Sequence, residues 1–124
     1  MEDVTTETFE REGKIIMNHP AAHEYGETFV AFFGTVPYVC FHLWLLLGVG
    51  TDDCLIEENG VEPKYLLWTL MYFKLYLVSR AACKVAKCKS RKTYGKWVYI
   101  ITHALASLSG FKMVRSHNFL LFCS

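Results

Sequence analysis

No carboxylate side chain follows Glu62 in this 124-residue sequence. That absence excludes catalytic designs that spread acidic residues along a chain, such as the acid triads of nucleases and polymerases. It equally excludes a paired-carboxylate site drawn from both halves. Charge of either sign is missing from Thr28 to Thr51. Prolines number three and glycines eight, which excludes collagen-like and low-complexity material. The five cysteines (Cys40, Cys54, Cys83, Cys88 and Cys123) are odd in number and match no common disulfide framework. Free thiols in a reducing compartment are therefore expected. Cys83 and Cys88 are too far apart for a zinc pair, and His19 and His23 have no cysteine pair to complete a site, so no metal is expected. No nucleophile–base pair and no glycine-rich phosphate loop stands out. The expectation is a chain that is not an enzyme and has no cofactor and no small-molecule substrate.

What is present is apolar and aromatic: 52% hydrophobic and 15% aromatic residues. Such a composition folds rather than staying disordered, and the length suits one small domain. The net charge of +1 hides a strong asymmetry. Residues 1–62 carry all 12 acids against only Arg11 and Lys14, a balance of −10; residues 63–124 carry 11 bases, a balance of +11. The basic half is thus expected to meet a polyanion or the chain's own acidic half.

The uncharged run from Thr28 to Thr51 equals a bilayer crossing in length, at about 20 residues per span. Gly34-Thr35-Val36-Pro37 interrupts it, His42 would fall at mid-membrane, and the nearest flanking cations are Lys14 and Lys64. The positive-inside signal is missing, so a membrane role is disfavoured. The acidic start, Met-Glu-Asp-Val-Thr-Thr-Glu, does not read as a signal peptide.

Helical periodicity dominates the remainder. Residues 1–29 read as an acidic, loosely held arm, with a short helix between Glu7 and Met17 ended by Asn18-His19-Pro20. A helix is predicted from an N-cap at Thr35, with Pro37 in its first turn and Val36, Val39, Cys40, Leu43, Trp44 and Leu47 along one stripe. Gly48 and Gly50 end it. After a loop with Asn59-Gly60 as its turn signal, a second helix starts at Pro63 and runs to about Leu77. It is apolar almost all round, as a central helix would be. Ser79 caps a short helix over 80–87; Ser90 caps a longer one over 91–108. The latter carries Tyr94, Trp97, Val98, Ile101, Leu105 and Leu108 at helical offsets. Gly95 within it would permit close approach of another helix or of a phosphate. Residues 109–124 form an apolar tail that the pattern does not assign. The expected fold is all-α, a small helical bundle whose domain spans residues 30–108.

A short helix, a brief turn and a longer helix over 80–108 have helix-turn-helix proportions, although Cys88 or Lys89 stands where that turn often has glycine. Arg80, Lys84, Lys87, Lys89, Arg91, Lys92 and Lys96 place seven cations within 17 residues. In such a motif the start of the second helix enters the major groove, and the preceding helix crosses the backbone. Lys84, Lys87 and Lys89 would hold phosphates, Arg91, Lys92, Thr93 and Lys96 would face the groove, and Arg80 and Ser90 complete the expected DNA-binding set. Trp44, Leu67, Trp68, Leu70, Trp97, Val98 and Ile101 would form the core that sets the helix angles. His42 and His103, within apolar helices, read as core or boundary residues.

Three blocks also carry a family likeness. Phe32-Phe33-Gly34-Thr35-Val36-Pro37 with Val39-Cys40 and Leu43-Trp44-Leu45-Leu46 forms the first. Pro63-Lys64-Tyr65-Leu66-Leu67-Trp68-Thr69-Leu70 with Phe73-Lys74-Leu75-Tyr76 forms the second, and Ser90-Arg91-Lys92-Thr93 with Lys96-Trp97-Val98 the third. In this order they resemble the helical N-terminal region of eukaryotic Harbinger-like transposases, which belong to the DDE superfamily endonucleases. The resemblance covers about residues 30–108. It implies a helix-turn-helix that binds duplex DNA, a nuclear location and a nuclease domain beyond it. The catalytic carboxylates of that domain have no counterpart after Glu62, so the resemblance implies a module truncated before the nuclease. The alternatives are a protein-interaction fragment that associates with itself or with full-length transposase, and a small helical membrane protein.

Overall fold

The computed structural model describes residues 3–19, 22, 27–75, 90–108, 111–112 and 121–122. Its architecture is all-α. Five helices appear among the described residues: α1 (Thr6–Met17), α2 (Phe29–Phe33), α3 (Pro37–Leu47), α4 (Pro63–Leu75) and α5 (Arg91–Ala106). In the tail, Phe111 pairs with Phe122 and Lys112 with Leu121 in a two-residue antiparallel contact. The short helix expected over 80–87, and with it the first half of the expected helix-turn-helix, lies outside the described residues.

The central helix is α4. Leu66, Leu67, Trp68, Thr69, Leu70 and Met71 are six consecutive buried positions, which a helix achieves only when neighbours surround it. Helices α1, α2, α3 and α5 all lie against it. Its buried hydroxyl, Thr69 Oγ1, donates to the Tyr65 carbonyl at 3.0 Å and so stays paired. The expected core residues Trp44, Leu67, Trp68, Leu70, Trp97, Val98 and Ile101 are all buried.

The uncharged run divides at Gly34 to Pro37 as its sequence suggests, but the capping residues differ. Thr28, not Thr35, caps a helix with its side chain, accepting from the Ala31 N–H at 3.1 Å. The five-residue α2 that follows ends at Gly34 in the left-handed region (φ 79°), a conformation that suits glycine. Thr35 is buried instead, and Val36 holds the N-cap position of α3 with no side-chain hydrogen bond, ahead of Pro37 at the helix start. The turn at Gly34 prevents one continuous span, and no helix among the described residues is long and apolar enough to cross a membrane.

Within the segment read as a loose arm, residues 6–17 are a docked helix. Helix α1 packs against α2, α3 and α4 and buries Phe9 and Ile16 completely or nearly so. Thr5 N–H donates to Thr8 Oγ1 at 3.0 Å at its start. Glu7 in the first turn and Lys14 in the last both complement the helix dipole. Gly13 allows the close contact: a Cβ there would lie 2.5 Å from Phe29 Cε2. With only Phe9 and Ile16 as buried large apolar residues, the stripe is hard to see among charges.

Cys40 is buried on the inner face of α3, and burial pushes its thiol up to about 12. It is a protonated core residue at neutral pH. Of the two readings of Gly95, close approach of another helix is not what the structure shows. A Cβ built there meets nothing within 4 Å, so no helix approaches it among the described residues. G95A should therefore stabilise the fold by about 0.5–1 kcal/mol, since alanine is the better helix former. Urea unfolding measures this; a loss of stability would mean that something does contact Gly95.

Candidate nucleic-acid interface

Helix α5 has two chemically distinct faces, and the inner one fixes the outer. Tyr94, Trp97, Val98, Ile101, Ala104 and Leu105 are buried against the bundle. Aromatic contacts set the packing on α4. The Tyr65 and Trp97 rings stack at 4.4 Å and 12°, and Trp68 lies 5.7 Å from Tyr94. Large rings in contact leave a helix little freedom to rotate about its axis. Lys92, Lys96, Tyr99 and His103, at helical offsets 0, 4, 7 and 11, consequently face outward and are exposed.

The start of α5 presents the predicted basic residues. Arg91, Lys92, Thr93 and Lys96 are all exposed. Ser90 is half-buried and serves as the cap, its Oγ accepting from the Lys92 N–H at 3.1 Å. The first turn contains no acidic residue. Arg91 and Lys92 have no ion-pair partner among the described residues. Cations at a helix N-terminus oppose the macrodipole at a cost of about 0.3–1 kcal/mol each. Two such residues without carboxylates to relieve them are therefore costly for folding alone. Arg80, Lys84, Lys87 and Lys89 lie outside the described residues.

Lys96 is the exception among these cations. Its Nζ sits 3.3 Å from Glu58 Oε2, with both side chains about half exposed. It also lies 5.2 Å from the Trp97 ring centroid. The acidic half thus does reach the basic helix, through the loop between α3 and α4. That loop is well anchored. Leu55 N–H donates to the Leu47 carbonyl at 2.9 Å, Thr51 Oγ1 donates to the Gly48 carbonyl at 2.7 Å, and Ile56 is buried. Glu58 follows two residues later. At the far end, Tyr65 donates its hydroxyl to Glu62 at 2.8 Å.

Two exposed residues on this face escape the sequence reading. Tyr99 is 66% exposed and His103 is exposed beside it, with ring centroids 4.3 Å apart. His103 is therefore not a core residue, and neither is His42, which is exposed on α3 beside Tyr38. The signal for Tyr99 and His103 is their helical offset from Lys92 and Lys96, which places them opposite Trp97 and Ile101. Tyr99 and His103 border an open groove of about 650 Å³, whose other wall is Leu55 to Glu58. No three His, Cys, Asp or Glu side chains converge on a metal-sized site among the described residues. Comparison with known protein families, with curated proteins and with solved structures finds no match to this chain.

Proposed function

We propose that this chain is a non-catalytic module that binds duplex DNA through the outward face of α5. One observation carries the reading: Arg91, Lys92, Thr93 and Lys96 are exposed on the first two turns of a helix whose opposite face is locked into the core. Phosphates suit this surface for two reasons. Lys and Arg release counterions when they meet the DNA backbone, and a helix N-terminus offers unpaired N–H groups to anionic oxygens. Arg91 adds a planar fork that can read guanine in the major groove. Arg80, Lys84, Lys87 and Lys89, immediately before α5 in the sequence, would extend the phosphate contacts.

The three ordered blocks support descent from the DNA-binding region of a Harbinger-like transposase, and with it a nuclear role. Chemistry on the DNA is not assigned to the chain, because every one of its carboxylates lies at or before Glu62.

Fluorescence-anisotropy titration with a random-sequence duplex across a salt series tests the proposal. Contact with about five phosphates gives a log K against log salt slope of about −4 to −5. A folded chain that does not bind at low salt would refute it.

A further inference from the structure

We infer that Lys96 is a phosphate subsite of the duplex-binding face, and that the Glu58 carboxylate occupies this subsite in the free chain; the inference rests on the DNA-binding reading. Lys96 lies one turn beyond Lys92 on the same outward face of α5. The group 3.3 Å from its ammonium is an anionic oxygen acceptor, as a DNA phosphate would be. Glu58 does not depend on the ion pair for its position. Its loop is held by the Leu55–Leu47 and Thr51–Gly48 hydrogen bonds and by the buried side chain of Ile56. Rotation of the glutamate side chain is therefore enough to release Lys96, and no backbone needs to move. Both partners are about half exposed, so the pair is weak enough for a polyanion to displace. The Trp97 ring, 5.2 Å away, continues to favour the cation when the carboxylate leaves.

Displacement leaves Glu58 unpaired beside the DNA. The loop then lowers affinity for any duplex that does not return enough contacts elsewhere, which makes Glu58 a filter against weak, non-specific binding. Lys96 and Glu58 are 38 positions apart, and the folded chain joins the two oppositely charged halves at this point.

The test is a double-mutant cycle on the full chain, titrating wild type, E58Q, K96Q and the double variant with the same random-sequence duplex at low salt. Both side chains are exposed, and circular dichroism confirms that each variant folds. E58Q should bind about two- to fivefold more tightly than wild type, the range expected from releasing an exposed ion pair. The gain should shrink in the K96Q background, because there is no pair left to release. No gain, or an equal gain in both backgrounds, overturns the inference while DNA binding by the wild type stands. If none of the four chains binds, the DNA-binding reading itself falls and this inference falls with it.

Discussion

R91E/K92E should lose duplex binding by more than about a hundredfold at moderate salt while folding at least as well as wild type. At about 0.9 in the log–log slope per phosphate, one contact contributes about eightfold between 1 M and 0.1 M salt, and two contribute about sixtyfold. Repulsion from the new carboxylates adds to this loss. The effect on stability has the opposite sign. Arg91 and Lys92 occupy the first turn of α5 with no acidic residue beside them, against the helix dipole. Glutamates there would favour the helix by about 0.3–1 kcal/mol each. Anisotropy and urea unfolding on the same sample therefore separate a lost interface from a lost fold. A drop in affinity of only a few-fold would show that the start of α5 does not face the DNA. Sedimentation of the same variant addresses self-association. The exposed apolar residues of α3, among them Tyr38 and Leu45, belong to a different helix and carry no charge. Association through them should survive the reversal unchanged.

The parts of the fold that periodicity revealed are those whose buried face is built from large side chains at regular intervals. The stripe from Tyr94 to Leu105 in α5 and the all-round apolar character of α4 are of this kind, and both map onto buried residues. Helix α1 is different. Its inner face depends on Phe9, Ile16 and a glycine that makes room for Phe29, and a missing side chain leaves no hydrophobic signal. The cap of α3 is misplaced by one residue in the sequence because threonine is the better capping type, yet Thr35 is buried and Val36, which has no hydroxyl, holds the N-cap position. At the candidate interface, Lys92 and Lys96 were legible because they sit opposite the buried stripe of Tyr94, Trp97 and Ile101, and Arg91 because it opens the helix. Tyr99 could have been found in the same way, but a tyrosine in an apolar helix resembles core until its neighbours are in place. The Glu58–Lys96 pair has no local signature at all. It arises from the anchoring of a loop to α3 and the packing of α5 on α4, two long-range events that charge counts anticipate only as an attraction between halves.

Docking of α1 makes a second large prediction. Phe9 is fully buried, and its ring meets Trp44 of α3 edge-on, with centroids 6.1 Å apart. F9A should lower the unfolding free energy by about 3–5 kcal/mol, the usual cost of emptying a packed phenylalanine site. Against a total of about 5–15 kcal/mol for a small domain, that loss brings the chain close to unfolding. E10Q is the control: Glu10 is the next residue along the same helix and is exposed, so its substitution should stay within about 0.5 kcal/mol. If F9A matched E10Q in chemical denaturation, α1 would be the loose acidic arm that its composition suggests. The distinction bears on any test of masking by the acidic half. Deleting residues 1–28 removes Phe9 and Ile16 together with the acids, so a change in DNA affinity would report damage to the core. Glu58, by contrast, is an acid that can be removed without disturbing the core and that lies against the basic helix.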